Sequence, residues 1–144
     1  MEIINEPRQI EIYGYSGQAV NKDYKGIAFK LMDKMWQIVK QTGLPNKGIN
    51  IWVYDGNDEV FVGVELLSPP VNHNTDLEFK SITLNKYAYH KHIGSYQLIP
   101  KAGLKMREEL NKRGLVIKLP YVEIYGHWTN DEDKLETELL MALK

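Results

Sequence analysis

Leu119-Pro120-Tyr121-Val122-Glu123-Ile124-Tyr125-Gly126-His127-Trp128 is the stretch on which the reading of this 144-residue chain turns. Val122 and Ile124 fall on one side of a strand, and Tyr121, Glu123 and Tyr125 fall on the other. The first side is aliphatic and belongs against helices. The second is two phenols around a carboxylate. Strands are poor in Glu, because β-branched and aromatic residues suit a half-buried pleated surface better. Glu123 is therefore either a solvated outer-face residue or an anion set into an aromatic site.

Working outward, residues 98–113 read as a helix, with Pro100 at its regular start and Leu98, Leu104 and Leu110 near its buried stripe. Gly114 caps it. Before that helix comes one long strand over 77–92 or two short ones, 77–84 and 87–92, joined through Asn85-Lys86, and then a turn at Ile93-Gly94-Ser95-Tyr96. After Trp128, the acidic turn Asn130-Asp131-Glu132-Asp133 leads to a last element near 136–143, read as a strand in preference to a short helix over 138–143, since Leu135, Leu139 and Met141 fit neither period cleanly.

The first half follows the same grammar. Residues 9–15 alternate, with Ile10 and Ile12 on one face and Tyr13 and Tyr15 on the other, and Ser16-Gly17-Gln18 ends the strand as a turn. Ile27, Leu31, Met35, Ile38 and Val39 then recur at three- and four-residue steps, which predicts a helix over 25–41 with Trp36 at the edge of its stripe. Thr42-Gly43-Leu44-Pro45 stops it. Residues 49–54 form a strand with Trp52 and Tyr54 opposite Ile49, Ile51 and Val53. Asp55-Gly56-Asn57-Asp58 signals a hairpin into 59–66, and residues 68–74 read as a loop.

Composition narrows the function. The formal net charge is -1, from 18 basic and 19 acidic residues without a block of like charge. That argues against direct DNA binding by this chain and leaves action through a transcription or topoisomerase partner protein open. The absence of cysteine excludes disulfides and thiolate chemistry. No signal-peptide pattern and no apolar run of about 18 residues is present, so the expected location is cytoplasmic, away from membranes. His90 and His92 share a strand face but lack an evident third ligand, so neither a metal nor any other cofactor is expected. Nine tyrosines and three tryptophans stand against three phenylalanines, a bias toward rings with a polar edge.

The order strand, helix, strand, hairpin, strand occurs twice, over about 8–80 and 82–144. Trp52-Val53-Tyr54 corresponds to Glu123-Ile124-Tyr125. The pattern predicts one α+β domain, a duplicated unit with an antiparallel sheet, two helices on its aliphatic face and a ligand cleft on the other. Tyr13, Trp52, Tyr54, Tyr89, Tyr121 and Trp36 are expected at that aromatic cleft from face and repeat position.

Two segments carry a resemblance. Tyr87-Ala88-Tyr89-His90-Lys91-His92-Ile93-Gly94-Ser95-Tyr96-Gln97-Leu98 is similar to the strand and His-x-Gly-x-Tyr turn of GyrI-like proteins, and Pro120-Tyr121-Val122-Glu123-Ile124-Tyr125 to their Pro-x-x-Glu-x-Tyr strand. That family shares its fold, an SHS2 duplication, with the effector-binding domains of AraC- and MerR-type multidrug-sensing regulators. The resemblance implies a cleft for lipophilic, often aromatic cations, with Glu123 as counter-ion and Tyr125 and Tyr96 beside it. One departure is expected to matter: the family's regulators carry an attached helix-turn-helix, this sequence shows none, and a stand-alone binding domain, monomer or dimer, is expected. Two other roles stay open: a hydrolase of strained electrophilic toxins using Glu123, and a protein inhibitor of DNA gyrase.

Overall fold

The computed structural model describes residues 1–70 and 75–144. Of the expected loop over 68–74, residues 71–74 lie outside the described residues. The chain runs β1 (Glu2–Ile4), β2 (Arg8–Gln18), α1 (Tyr24–Thr42), β3 (Asn46–Gly56), β4 (Glu59–Leu66), β5 (Glu78–Leu84), β6 (Tyr87–Ile93), α2 (Ile99–Lys112), β7 (Ile117–Tyr125) and β8 (Glu136–Leu143). All the strands join one sheet in the order β1-β6-β8-β7-β3-β4-β2-β5, every neighbouring pair antiparallel. The α+β class stands. Neither helix is long and apolar enough to cross a membrane.

Local chemistry sets the element ends. The Asp23 carboxylate accepts from the Gly26 backbone N–H and caps α1, and Gly43 ends it at φ 66°. Gly56, Asn57 and Asp58 all take positive φ in the β3–β4 hairpin. The end of β2 and the presence of β1 are among the differences from the pattern. β2 stays paired with β4 through Gln18, so Ser16-Gly17-Gln18 is strand and the chain turns later, at Val20–Lys22. The alternation there continues with small and polar residues that resemble turn chemistry. β1 has only three residues, too few to show a period.

The sheet is rolled, and the connectivity requires it. β5 and β6 are six strand spacings apart in the sheet order, about 29 Å if the sheet were flat. Only Asn85 and Lys86 join them, three Cα–Cα steps of about 3.8 Å each. The two edges must therefore curl toward each other. The curl brings the aliphatic face together: Ile10, Ile12, Ile51, Val53, Val122, Ile124 and Leu140, with Leu84 and Tyr87 from β5 and β6, form one buried cluster.

This overturns the expected placement of the helices. The aliphatic face fills itself, and both helices pack on the opposite face, the one that carries the aromatic side chains. Leu31, Met35 and Val39 of α1 lie against Tyr15, Trp52, Val60 and Val62. Met106 and Leu110 of α2 lie against Leu139, Met141 and Tyr121. Alternation tells which residues share a face, but not whether a helix or the curled sheet itself covers it. The stripe of α2 is corrected too: Leu110 is buried, while Leu98 and Leu104 are 52% and 56% exposed, and Ile99, Gly103 and Met106 point inward instead.

The roll draws backbones close where β2 crosses β4. Gly14 faces Gly63, and a Cβ on Gly14 would lie 1.8 Å from the Val62 carbonyl oxygen. No side-chain shift relieves a clash with backbone. Gly14→Ala is expected to destabilise the fold beyond the roughly 3 kcal/mol that bounds most point substitutions, read as the urea midpoint. A shift below about 1 kcal/mol would show that the strands do not approach this closely.

Candidate ligand-binding cleft

Between α1 and the start of α2 the helix-bearing face opens into a cavity of about 580 Å³, floored by β3 and β7. The two central strands put Trp52 directly opposite Glu123 and Tyr54 opposite Tyr121. Opposed residues on an antiparallel pair project from the same face, so the carboxylate and the indole rise side by side.

Glu123 is 6% exposed. A carboxylate so buried requires hydrogen-bond donors, and three phenols supply them. The Tyr54 and Tyr125 hydroxyls donate to Oε1 at 3.1 and 2.9 Å, and the Tyr121 hydroxyl donates to Oε2 at 2.9 Å. Burial first, then the Glu123 charge, holds all three phenols well above their ordinary pKa of 10.0, so they remain donors. Arg107 lies over the Tyr121 ring, 5.6 Å from its centroid. Among the described residues no Lys or Arg forms an ion pair with Glu123.

Aromatic rings wall the rest. Trp52 packs on Tyr125 at 4.8 Å between centroids and meets Phe29 edge-on at 5.6 Å. Tyr96 meets Tyr125 edge-on at 5.5 Å, and its hydroxyl is raised in pKa by burial. The Trp52 indole N–H donates to the Asn50 side-chain oxygen at 2.6 Å, which fixes the ring's tilt. Trp36 closes the α1 side, and Trp128, 74% exposed, stands at the mouth.

Of the residues singled out in the sequence, Glu123, Tyr125, Tyr54, Trp52, Tyr96 and Trp36 line the cavity. Tyr121 lies beside it, donating to Glu123 from under Arg107. Two residues do not come to the site. Tyr89 pairs with Leu140 and packs into the aliphatic cluster on the other face, where its hydroxyl donates to Glu138 at 2.6 Å. Tyr13 packs against Phe79 in a tilted ring pair across the β2–β5 pair, two strands away from β3.

The sequence reading missed Phe29 and Met32 of α1, Ile99 and Pro100 of α2, Tyr24 and Trp128. Phe29, Met32 and Trp36 are spaced three and four apart. They form a second apolar stripe beside the buried one, a signal readable without a structure. Nothing comparable marks Trp128.

Comparison with solved structures finds the same fold in proteins of low identity. The EcmrR C-terminal domain superposes with TM-score 0.71 at 16% identity, covering 99% of this chain and 97% of that one. EcmrR in its DNA complex matches with TM-score 0.70 at 16% identity over 99% of this chain, which spans 57% of the EcmrR chain. SAV2435 bound to tetraphenylphosphonium gives TM-score 0.64 at 15% identity over 100% and 94% of the two chains. A hydrolase from Listeria innocua gives 0.55 at 10% identity over 97% and 92%. No curated protein sequence matches. A sequence profile does: the GyrI-like small molecule binding domain matches residues 2–144. With that profile spanning nearly the whole chain, this protein belongs to the GyrI-like family of small-molecule-binding domains.

Proposed function

We propose that the cleft binds lipophilic aromatic cations, with Glu123 as counter-charge, and that the chain works as a ligand-responsive binding module. The observation that carries this is a nearly buried carboxylate, on the floor of a ring-walled cavity, without a cationic side chain paired to it among the described residues. Three neutral donors compensate the lost hydration of Glu123, but they leave its charge. A cation placed among the rings gains that charge in a low-dielectric setting, and about 0.5–2 kcal/mol from each ring face it covers. Lys25 is exposed and borders the cavity. SAV2435 holding tetraphenylphosphonium on the same fold supports the choice of ligand class.

Binding is preferred over turnover for a geometric reason. Both lone pairs of Oε1 are taken by Tyr54 and Tyr125 and one of Oε2 by Tyr121, whereas a general base needs access to its proton. We also read about 8–80 and 82–144 as two copies of one unit meeting at β3 and β7. Trp52 and Glu123 are then equivalent positions set face to face. Nothing in the net charge of -1 favours contact with DNA by these residues, so any effect on transcription or on a topoisomerase would run through another domain or another protein.

The chain has three tryptophans, and Trp36, Trp52 and Trp128 all border the cleft. Selectively excited tryptophan fluorescence therefore reports occupancy without a contribution from indoles outside the cleft. Tetraphenylphosphonium should quench it saturably, and Glu123→Gln should weaken binding at least about tenfold, about 1.4 kcal/mol or more. Neutral triphenylphosphine oxide should bind parent and variant alike. Equal affinity of both proteins for the cation would remove Glu123 from recognition.

The phenols give a pH test. Their folded pKa values are raised, so the stability they contribute is fully present below pH 10.0 and is lost as pH rises past it. Tyr54, Tyr121 and Tyr125 should form tyrosinate only together with loss of circular-dichroism signal. Comparing each Tyr→Phe variant with the parent assigns the absorbance. Ionisation of these three near pH 10.0 in the folded protein would contradict the cage around Glu123.

A further inference from the structure

A second cavity lies on the other flank of α2, and it has the opposite electrostatic character. It measures about 550 Å³ and shares no lining residue with the aromatic cleft. α2 is the partition: Ile99 and Pro100 border the cleft, while Leu98, Lys101 and Ala102 border this groove.

Helical spacing builds it. Leu98, Ala102 and Met106, four apart, make an apolar floor together with Met1. Lys101, Lys105, Glu109 and Arg113, also four apart, make the rim. The rim is not electrically balanced. Glu109 is engaged by Arg113, whose Nη2 and Nε donate to its Oε1 at 2.7 and 3.1 Å. Lys101 and Lys105 have no ion-pair partner among the described residues. Lys101 also sits in the first turn of α2, which has no acidic residue, so its charge adds to the positive end of the helix dipole.

The far wall is β6. His90 and His92 pair with Leu139 and Thr137, which places both imidazoles on the helix-bearing face. The Nε2–H of His92 donates to the Ser95 carbonyl at 2.9 Å, so this ring is fixed. Burial first, then neighbouring positive charge, lowers the pKa of His90 from its ordinary 6.5. The wall thus adds hydrogen-bonding rings without supplying the missing negative charge.

We infer that this groove is a second binding site, for an amphipathic organic anion whose carboxylate or sulfonate head sits at Lys101 and Lys105 and whose apolar body covers Leu98, Ala102 and Met106. The volume falls within the roughly 300–1,000 Å³ of small-molecule sites. The site does not depend on the reading of the cleft. An anion here answers both the unpaired rim lysines and the exposed Leu98 side chain.

The probe is 8-anilinonaphthalene-1-sulfonate, which joins a sulfonate to an apolar ring system. The full chain should bind it saturably with one-to-one stoichiometry, and decanoate should displace it where inorganic phosphate does not. Lys101→Glu combined with Lys105→Glu should weaken it by about tenfold or more, with a melting temperature no lower than the parent's, because both lysines are exposed and an acidic residue suits the first turn of α2. Glu123→Gln and saturating tetraphenylphosphonium should leave it unaffected. Shift changes in the His90 ring and in the Ala102 and Met106 methyl groups should accompany binding. The site is overturned by absence of saturable binding, by displacement with tetraphenylphosphonium, or by equal affinity in the double variant.

Discussion

Two residues, Asn85 and Lys86, join strands that lie six spacings apart in the sheet, and the architecture follows from that constraint. A link of this length forces the sheet to roll. Rolling brings the aliphatic side chains of β2, β3, β7 and β8 together without help from any helix. The helices are then left with the other face, where Trp52, Tyr54, Tyr121, Glu123 and Tyr125 stand. Each helix covers its own half of that face. The central pair of strands, β3 and β7, lies at the seam between them, and the seam is the cleft.

Glu123 sits at that seam at an energetic disadvantage that the fold must offset. An unpaired buried carboxylate would ordinarily be expelled or neutralised. Here three hydroxyls converge on it from β3 and β7, and the register that sets Tyr54 against Tyr121 is what makes them converge. A one-residue slip of β7 would turn Tyr121, Glu123 and Tyr125 to the aliphatic face at once. The strand pairing is thus specified by its polar residues as well as by its apolar ones.

The sequence showed most of the elements and the faces of their strands. Alternation in residues 119–128 placed Glu123 with Tyr121 and Tyr125, and the spacing in α1 marked its core stripe. Layering was not legible, because alternation records which residues share a face and not what covers it. The same gap explains Tyr89. Its strand has polar residues on both faces, Lys91 on one and His90 and His92 on the other, so only pairing with Leu140 shows that it belongs to the inner cluster. Tyr13 was on the expected face but on the wrong strand, since strand order is set by long-range pairing. Trp128 follows the last regular residue of β7, where no period exists to place it.

The rings around Glu123 hold one another in contacts that need no ligand. Phe29 touches Trp52, Trp52 touches Tyr125, and Tyr125 touches Tyr96; on the other side Tyr24 touches Tyr54 and Tyr54 stacks on Tyr121. Each ring has only two side-chain torsions, and several are also held by a hydrogen bond. Such a wall loses little conformational freedom when a ligand enters, so more of the contact energy appears as affinity. The same rigidity limits what the cleft can accept. It favours flat or propeller-shaped aromatic bodies that fit between fixed rings over flexible chains that would need the rings to move.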